Sequence, residues 1–452
     1  MELFGTAGIR GDVVERVTPE LALQVGRAAG QDGAEFVLGY DGRVTSPALA
    51  DALASGLASA GTKVIRVGRV PTPALAWASR GRRGVMVTAS HNPPHDNGIK
   101  LFVDGQEYDS AAESRISDRV EDGLAPAEWG RWGDTDRVDV LADYRRAVAG
   151  YAGDHGAAPD GLTVAVDSGN GMSGVATPQV LRELGVSVRA VEANVDGYFP
   201  ARESKPTAET LSKFRAFVAD TAVDVGIGHD GDSDRIVVVD GGGEVVHEDT
   251  VLAILGEHYT RVSTAGDPVV VTTPNASGRV DERVGAAGGR VERVRLGALH
   301  EGIARVRADA GAETAVVFAG EPWKHIHPAF GGWIDGVASA AVLTRLFADE
   351  SLADRRAVVP ERPYRKVSVE CPDDAKAGAM ATLAESLPAA YPDAGVSTEY
   401  GVRLSFEDGS WTLVRPSGTE PYVRVYAESD DVDTLVAGVV ETVEDAVAAE
   451  SV

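Results

Sequence analysis

The stretch "VMVTASHNPPHDNGIK", Val85–Lys100, decides how this chain is read. It opens as an apolar strand, Val85-Met86-Val87, and the pattern breaks at Thr88-Ala89-Ser90. His91, two prolines and an Asp96-Asn97-Gly98 turn follow, and then Lys100. A hydroxyl, an imidazole and an ammonium group are thus gathered within one short stretch at a strand end.

Working outward, short apolar strands alternate with helical stretches, the pattern of α/β domains. "EFVLGYD" reads as a strand, and a helix follows with Ser46 as N-cap, Pro47 in its first turn and Gly61 past its end. "KVIRVGRV" and "GVMVTAS" are the next strands. A second unit begins at "LTVAVDSGNGMSG", with a strand over 162–167, and "VDVGIGHDGDSD" and "RIVVVD" are strands flanking an acidic turn. A third has a helix over 249–261, the strands "PVVVTTP", "RVERVRL" and "AVVFAGEP", and a helix over 335–349. "RAVVPERPYRK" suits a linker. Beyond it a strand, a helix, three strands and an acidic helix suggest a small α+β domain.

The chain has 452 residues, more than one hydrophobic core usually accommodates. Asp plus Glu number 69 against 43 Lys plus Arg, a formal net charge of -26, which argues against nonspecific nucleic-acid binding. Only seven of the cations are lysines, so a lysine inside a motif is noteworthy. An acidic, lysine-poor surface suggests adaptation to high salt, where self-repulsion is screened. No apolar run approaches a membrane span, and "MELFGTAGIRG" lacks the basic and apolar regions of a signal peptide. The one cysteine, Cys371, cannot form an internal disulfide, so a reducing cytoplasm is the expected compartment.

Three further stretches carry chemistry. "DGDSDR", Asp230–Arg235, sets carboxylates at alternate positions in a turn, which suits a hard divalent cation such as Mg2+ or, read alone, a solvated acidic turn. An EF-hand is excluded, because Arg235 stands where that loop needs Gly and Gly241 where it needs Glu. "RPSGTEPYVRVY" collects Arg415, Ser417, Gly418, Thr419 and Arg424, the donors of a phosphate cradle. "AGEPWKHIHP" holds Glu321, Trp323, Lys324, His325 and His327, a carboxylate and donors at a strand end that suit sugar hydroxyls. "FGTAGIRG" is a glycine-rich loop bearing Arg10, without the preceding strand that a dinucleotide fingerprint requires.

Taken together, "TASHNPPHDNGIK", "DGDSDR", a "GE" loop and "RPSGTEP", in this order and spacing, resemble the α-D-phosphohexomutases over nearly the whole chain. The resemblance implies three similar α/β domains (1–148, 149–246, 247–354) and a C-terminal α+β domain (355–452) around a central cleft. It implies a phosphomutase of the phosphomannomutase/phosphoglucomutase type that interconverts hexose 1-phosphate and hexose 6-phosphate through a hexose 1,6-bisphosphate. Ser90 would be the phosphoserine, and Mg2+ would bridge it to Asp230, Asp232 and Asp234. Lys100, His91 and Arg10 would serve acid–base chemistry, and Arg235 would contact the transferring phosphate. Glu321, Trp323, Lys324 and His325 would read the sugar, while Arg415, Ser417, Gly418, Thr419 and Arg424 would hold the phosphate that is not reacting. Trp323-Lys324 departs from the Ser-Gly or Asn-Gly of many relatives and leaves the sugar open, with phosphoglucosamine or phosphopentose as alternatives. A metal-dependent phosphatase would not need the Ser90 motif, nor would a non-catalytic sugar-phosphate binder. The partner is a small-molecule sugar phosphate rather than a nucleic acid or membrane, and a homodimer is one assembly left open.

The charge balance generates a first prediction. Repulsion among 26 excess negative charges should weaken as the screening length falls from roughly 10 Å at 0.1 M salt to about 3 Å at 1 M. The melting temperature should therefore rise with KCl, and a flat or falling curve would refute the salt-adaptation reading.

Overall fold

The first sheet is ordered Ile9–Asp12, Asp96–Val103, Arg83–Val87, Glu35–Tyr40, Lys63–Arg69, Thr135–Arg137, with the short strand Gln106–Glu107 paired to Asp96–Val103. The computed structural model describes residues 3–5, 8–417 and 420–450. The chain forms two compact units, one of residues Met1–Glu248 with Trp323–Arg355, the other of Asp249–Pro322 with Arg356–Val452. Together they hold several sheets and form a multidomain α/β fold.

Glu35–Tyr40 lies parallel to Lys63–Arg69 and Arg83–Val87, and Asp96–Val103 returns antiparallel beside Arg83–Val87. Phe36, Leu38, Val85, Val87 and Ile99 pack with Leu53 and Leu57 of the helix Ser46–Ser59. The strands thus read as apolar runs, as buried parallel strands do. The stretch between Val87 and Asp96 is therefore a connection at the end of two central strands.

Three local expectations change. Ser46 is the first residue of its helix rather than its cap, and its hydroxyl donates to Asp41 Oδ1 at 2.7 Å. Asp96-Asn97-Gly98 opens a strand rather than forming a turn. Gly98 suits that place, because a Cβ there would lie 2.5 Å from both Ile9 O of one flanking strand and Thr88 O just past the end of the other. Arg10 lies in the strand Ile9–Asp12, opposite Gly98, rather than in a loop.

The second sheet runs Ile236–Asp240, Val225–His229, Thr163–Asp167, Ser187–Val191. Its first pair is antiparallel and the rest parallel, so "DGDSDR" is the tip of a hairpin whose Ser233 takes φ +68°. The helix Gly336–Asp349 belongs to the same unit and is capped by Asp335, which accepts from Ala338 N at 2.8 Å, Tyr144 Oη at 2.9 Å and Trp333 Nε1 at 3.0 Å. Burial pushes the Asp335 carboxyl up to about 6 despite these donors. Among the described residues no helix is long and apolar enough to cross a membrane.

In the second unit, Arg290–Arg293, Asp267–Thr272 and Thr314–Glu321 run parallel. Its antiparallel sheet is ordered Tyr364–Glu370, Tyr422–Glu428, Trp411–Pro416, Val402–Ser405, Gly395–Ser397. The helices Lys376–Ala390 and Val432–Glu450 share a core with it through Leu383, Leu387, Val439 and Val443. Gly395–Ser397 is exposed and three residues long, too short to stand out as a strand in the sequence.

A fully buried ion pair ties this unit together. Arg279 donates to Glu428 Oε1 at 2.9 Å and to Thr250 Oγ1 at 2.8 Å, and Trp411 Nε1 donates to Glu428 Oε2 at 3.0 Å. Arg279→Met would leave a buried carboxylate without its counter-charge, a loss of about 3–5 kcal/mol in urea unfolding. Adding Glu428→Gln to that variant should recover part of the loss, and unchanged stability of the single variant would contradict this account.

Candidate active site

Ser90 is fully buried and takes φ +52°, a left-handed conformation unusual for a residue with a side chain. Its hydroxyl donates to Asp230 Oδ2 at 2.7 Å and lies 3.5 Å from His91 Nδ1, while its amide donates to Thr88 Oγ1 at 2.9 Å. The Ser90 hydroxyl is thus an interior one, held against the acidic hairpin tip. Ser204 Oγ donates to Ser90 O at 3.0 Å.

At that tip, Asp230, Asp232 and Asp234 are all buried and each offers an oxygen within 4.8 Å of the others. The tight hairpin tip, with Ser233 in a left-handed conformation, brings these three alternate positions together. Burial raises the Asp230 carboxyl well above the usual carboxylate range, and the charges of Asp234 and Asp232 push the same way. For Asp234 burial acts upward too, but Lys100, Lys324 and Arg235 outweigh it and hold the carboxyl below its ordinary value. Thr72 Oγ1 donates to Asp232 Oδ2 at 2.7 Å. Asp232 Oδ1 and Asp234 Oδ1 are buried without a hydrogen-bond partner among the described residues. Buried carboxylate oxygens left unpaired beside a third carboxylate are a donor set that fits a hard divalent cation.

The cations surround this group. Lys100 donates to Asp234 Oδ2 at 3.1 Å and to Glu107 Oε1 at 3.2 Å. Burial acts against its charge, but Glu107 and Asp234 outweigh it and raise its proton affinity above that of a free lysine. The Arg235 amide donates to Asp230 Oδ1 at 3.3 Å, and its Nε stands 3.7 Å from Asp230 Oδ2. His91 is held neutral, lowered to about 3 by burial and by the neighbouring Arg235 and Arg10. Arg10 reaches this group from the strand Ile9–Asp12.

The "GE" loop divides between the units. Glu321 ends a strand of the second unit, where it accepts from Gly297 N at 3.3 Å. Trp323 belongs to the first unit, takes φ +69° and packs its indole against the core of the second sheet, formed by Leu211, Phe214 and Val237. Lys205 Nζ lies 5.9 Å above that ring. Lys324 bridges the backbone of Arg235, which brings it beside the carboxylates, and its charge acts on Asp234 and His91. His325 is buried, with Nδ1 3.0 Å from Ser339 Oγ, and burial lowers it to about 3.

In the second unit Arg415 and Arg424 face each other across adjacent strands. Arg415 donates to Tyr426 Oη at 2.9 Å and Arg424 pairs with Glu420. Two like charges directly opposite are unfavourable without an anion, as a phosphate cradle would require. Ser417 N donates to Tyr422 O at 2.8 Å, while Gly418 and Thr419 lie outside the described residues. Lys376, not singled out in the sequence, donates to Ser417 O at 2.8 Å and Glu420 O at 2.6 Å. Thr72, Ser204 and Glu107 also escaped sequence reading, since single hydroxyls and carboxylates outside a motif carry no local signal.

The comparisons with known proteins bear on the whole chain. Residues 1–126 match phosphoglucomutase/phosphomannomutase alpha/beta/alpha domain I, 143–243 match domain II and 367–446 match the C-terminal domain of that family. A protein named "Phosphopentomutase" from Thermococcus kodakarensis is 41% identical over 437 residues, 95% of this chain and 94% of its own. One named "Probable phosphoglucosamine mutase" from Methanopyrus kandleri is 39% identical over 440 residues, 94% of each chain. The crystal structure of a phosphoglucomutase/phosphomannomutase family protein from Burkholderia thailandensis superposes with a TM-score of 0.83 at 26% identity, covering 100% of this chain and 98% of that one. Likeness of this extent, carried through every domain profile that matches and through the full length of the relatives, means that the chain belongs to the α-D-phosphohexomutase family and is a phosphomutase, an isomerase that transfers a phosphoryl group within a sugar phosphate.

Proposed function

We propose that this phosphomutase works through Ser90 as phosphoryl carrier, and the observation that supports this is the 2.7 Å bond that holds the Ser90 hydroxyl on the Asp230–Asp232–Asp234 group. In the first half-reaction the bond between phosphorus and Ser90 Oγ breaks and a new one forms to a sugar hydroxyl. That hydroxyl's proton passes to a base, and the sugar becomes a bisphosphate. In the second half the bond between the other phosphorus and its sugar oxygen breaks and a new one forms to Ser90 Oγ, while that sugar oxygen takes up a proton, leaving the isomerised monophosphate. Mg2+ held by Asp230, Asp232, Asp234 and Ser90 would neutralise charge on the moving phosphoryl group.

Lys100, His91 and Arg10 are the residues this reading assigns to proton transfer. His91 is lowered to about 3 by burial, Arg235 and Arg10, so it is neutral but a weak base until an anionic phosphate beside it raises it. Lys100 keeps its proton between Glu107 and Asp234, which suits donation rather than abstraction. Arg10 and Arg235 face the transferring phosphate, and Arg415, Ser417, Gly418, Thr419 and Arg424 hold the other one. The domains carried into this reading are 1–148, 149–246, 247–354 and 355–452, each bringing one motif.

The substrate is a sugar 1-phosphate exchanged with its terminal-carbon phosphate, a hexose in the phosphomannomutase/phosphoglucomutase reading. A pentose is the second reading, favoured by the 41% identity to a protein named phosphopentomutase. Trp323 leans on the second sheet and leaves Lys324 as the departure nearest the carboxylates. Glu321, Trp323, Lys324 and His325 are the residues through which sugar choice would act.

Ser90→Ala should abolish most turnover while leaving the melting temperature near that of the parent chain, and near-normal turnover would remove the carrier assignment. Exhaustive chelation should remove activity and added Mg2+ restore it, with Asp232→Asn needing more metal; full activity in chelator would count against the metal site. Catalytic efficiencies for ribose, glucose, mannose and glucosamine 1-phosphates decide the sugar. Replacing Trp323-Lys324 by Ser-Gly should change the ratios among them rather than lower all by one factor, since specificity is a difference in transition-state binding.

A further inference from the structure

Arg43 is a buried arginine outside every motif above, and its side chain has no exposure to solvent. All five guanidinium N–H groups are engaged. Nε donates to Asp41 Oδ2 at 3.2 Å; Nη1 donates to Pro93 O at 2.6 Å and Asp96 O at 3.0 Å; Nη2 donates to Ser90 O at 3.0 Å and Asn92 O at 2.7 Å. The guanidinium thus binds four backbone carbonyls of the Ser90 loop. Pro93 and Pro94 have no N–H, so this loop is poor in donors of its own and its carbonyls must find them elsewhere.

The guanidinium is itself fixed. Asp41 accepts from Arg43 N at 3.0 Å, Ser46 Oγ at 2.7 Å and Thr88 Oγ1 at 2.8 Å. The Thr88 hydroxyl also lies 3.2 Å from Asp232 Oδ2 and accepts the Ser90 amide at 2.9 Å. It has a single proton for the two carboxylates, so it joins the Arg43–Asp41 pair to the acidic group. Phe199 closes the other side, its ring 5.1 Å from the guanidinium carbon. A left-handed Ser90 persists only where its surroundings over-determine it, and these bonds do so.

We propose that Arg43 is the positioning residue of the Ser90 loop, aiming the Ser90 hydroxyl at the carboxylates, with Thr88 as the hydroxyl that couples the loop to Asp232. The proposal rests on the carrier role of Ser90. A lysine at position 43 would keep the charge but offer three donors in place of a five-donor fork, so the loop would lose its shape while the unit kept its fold. A displacement of the reacting oxygen by about 1 Å is enough to cost ~100-fold in rate.

The test compares the parent chain with Arg43→Lys, Thr88→Val and, as a control for stability alone, Arg119→Met, whose arginine in the helix Ser110–Asp122 bonds Ala28 O of the helix Pro19–Gly30 and Asp32 in the turn after it. Turnover of ribose 1-phosphate and glucose 1-phosphate, melting temperature and hydrogen exchange of amides 89–96 are measured for each. Arg43→Lys should lose ~100-fold in kcat with KM unchanged and exchange faster at 89–96. Thr88→Val should lower kcat in the same direction, while Arg119→Met should lower the melting temperature and keep kcat. Parent-like kcat in folded Arg43→Lys overturns the proposal, and if that variant does not fold, parent-like kcat in Thr88→Val does so. A parent chain that neither turns over sugar phosphates nor carries phosphate on Ser90 refutes the carrier reading instead. The exchange of amides 89–96, faster or unchanged in Arg43→Lys (in Thr88→Val if that variant does not fold), then decides the positioning claim by itself.

Discussion

Three carboxylates buried within reach of one another are the constraint around which the first unit is organised. Alone they would repel, and burial raises the cost of each charge. The chain answers by dividing their protonation. Asp230 is driven toward its neutral form by burial and by its two neighbours, while Asp234 is kept ionised by Lys100, Lys324 and Arg235. The oxygens left unpaired on Asp232 and Asp234 mark where a divalent cation would complete the balance.

Charge in this protein is therefore strongly segregated. The chain carries a net -26, yet two of its seven lysines act on the same buried aspartate. In a low-dielectric interior these cations act over short distances with little screening, unlike those on the surface. The arrangement is suited to a dianionic phosphoryl group, which needs fixed positive charge on several sides at once. Burial and neighbouring cations keep His91 neutral, while Glu107 and Asp234 keep Lys100 protonated.

The second unit shows the same physics in a structural role. Arg279 and Glu428 are buried as a pair, each with an additional neutral partner, so neither charge is stranded. The opposed Arg415 and Arg424 are the reverse case, two like charges set opposite each other, of which Arg424 has Glu420 as counter-charge while Arg415 donates to the neutral Tyr426 hydroxyl.

The alternation of apolar strands with helical stretches, and the motifs themselves, are local patterns, so the sequence by itself determined the α/β class, the C-terminal α+β sheet and the residues Ser90, Lys100, Asp230, Asp232 and Asp234. The alternate spacing of the three aspartates in one acidic turn was legible, while their convergence within 4.8 Å belongs to the hairpin tip. Tertiary structure decided what local patterns do not encode. Asn97-Gly98 became strand because Gly98 has neighbours on both sides, and Ser46 gave its hydroxyl to Asp41 rather than to its own helix. Trp323 settled on the second sheet, and Arg43 found four carbonyls some 47 to 53 residues away in sequence. These outcomes depend on which side chains meet across elements, and hydrogen bonds and burial between distant residues leave no period or spacing in the chain that could announce them.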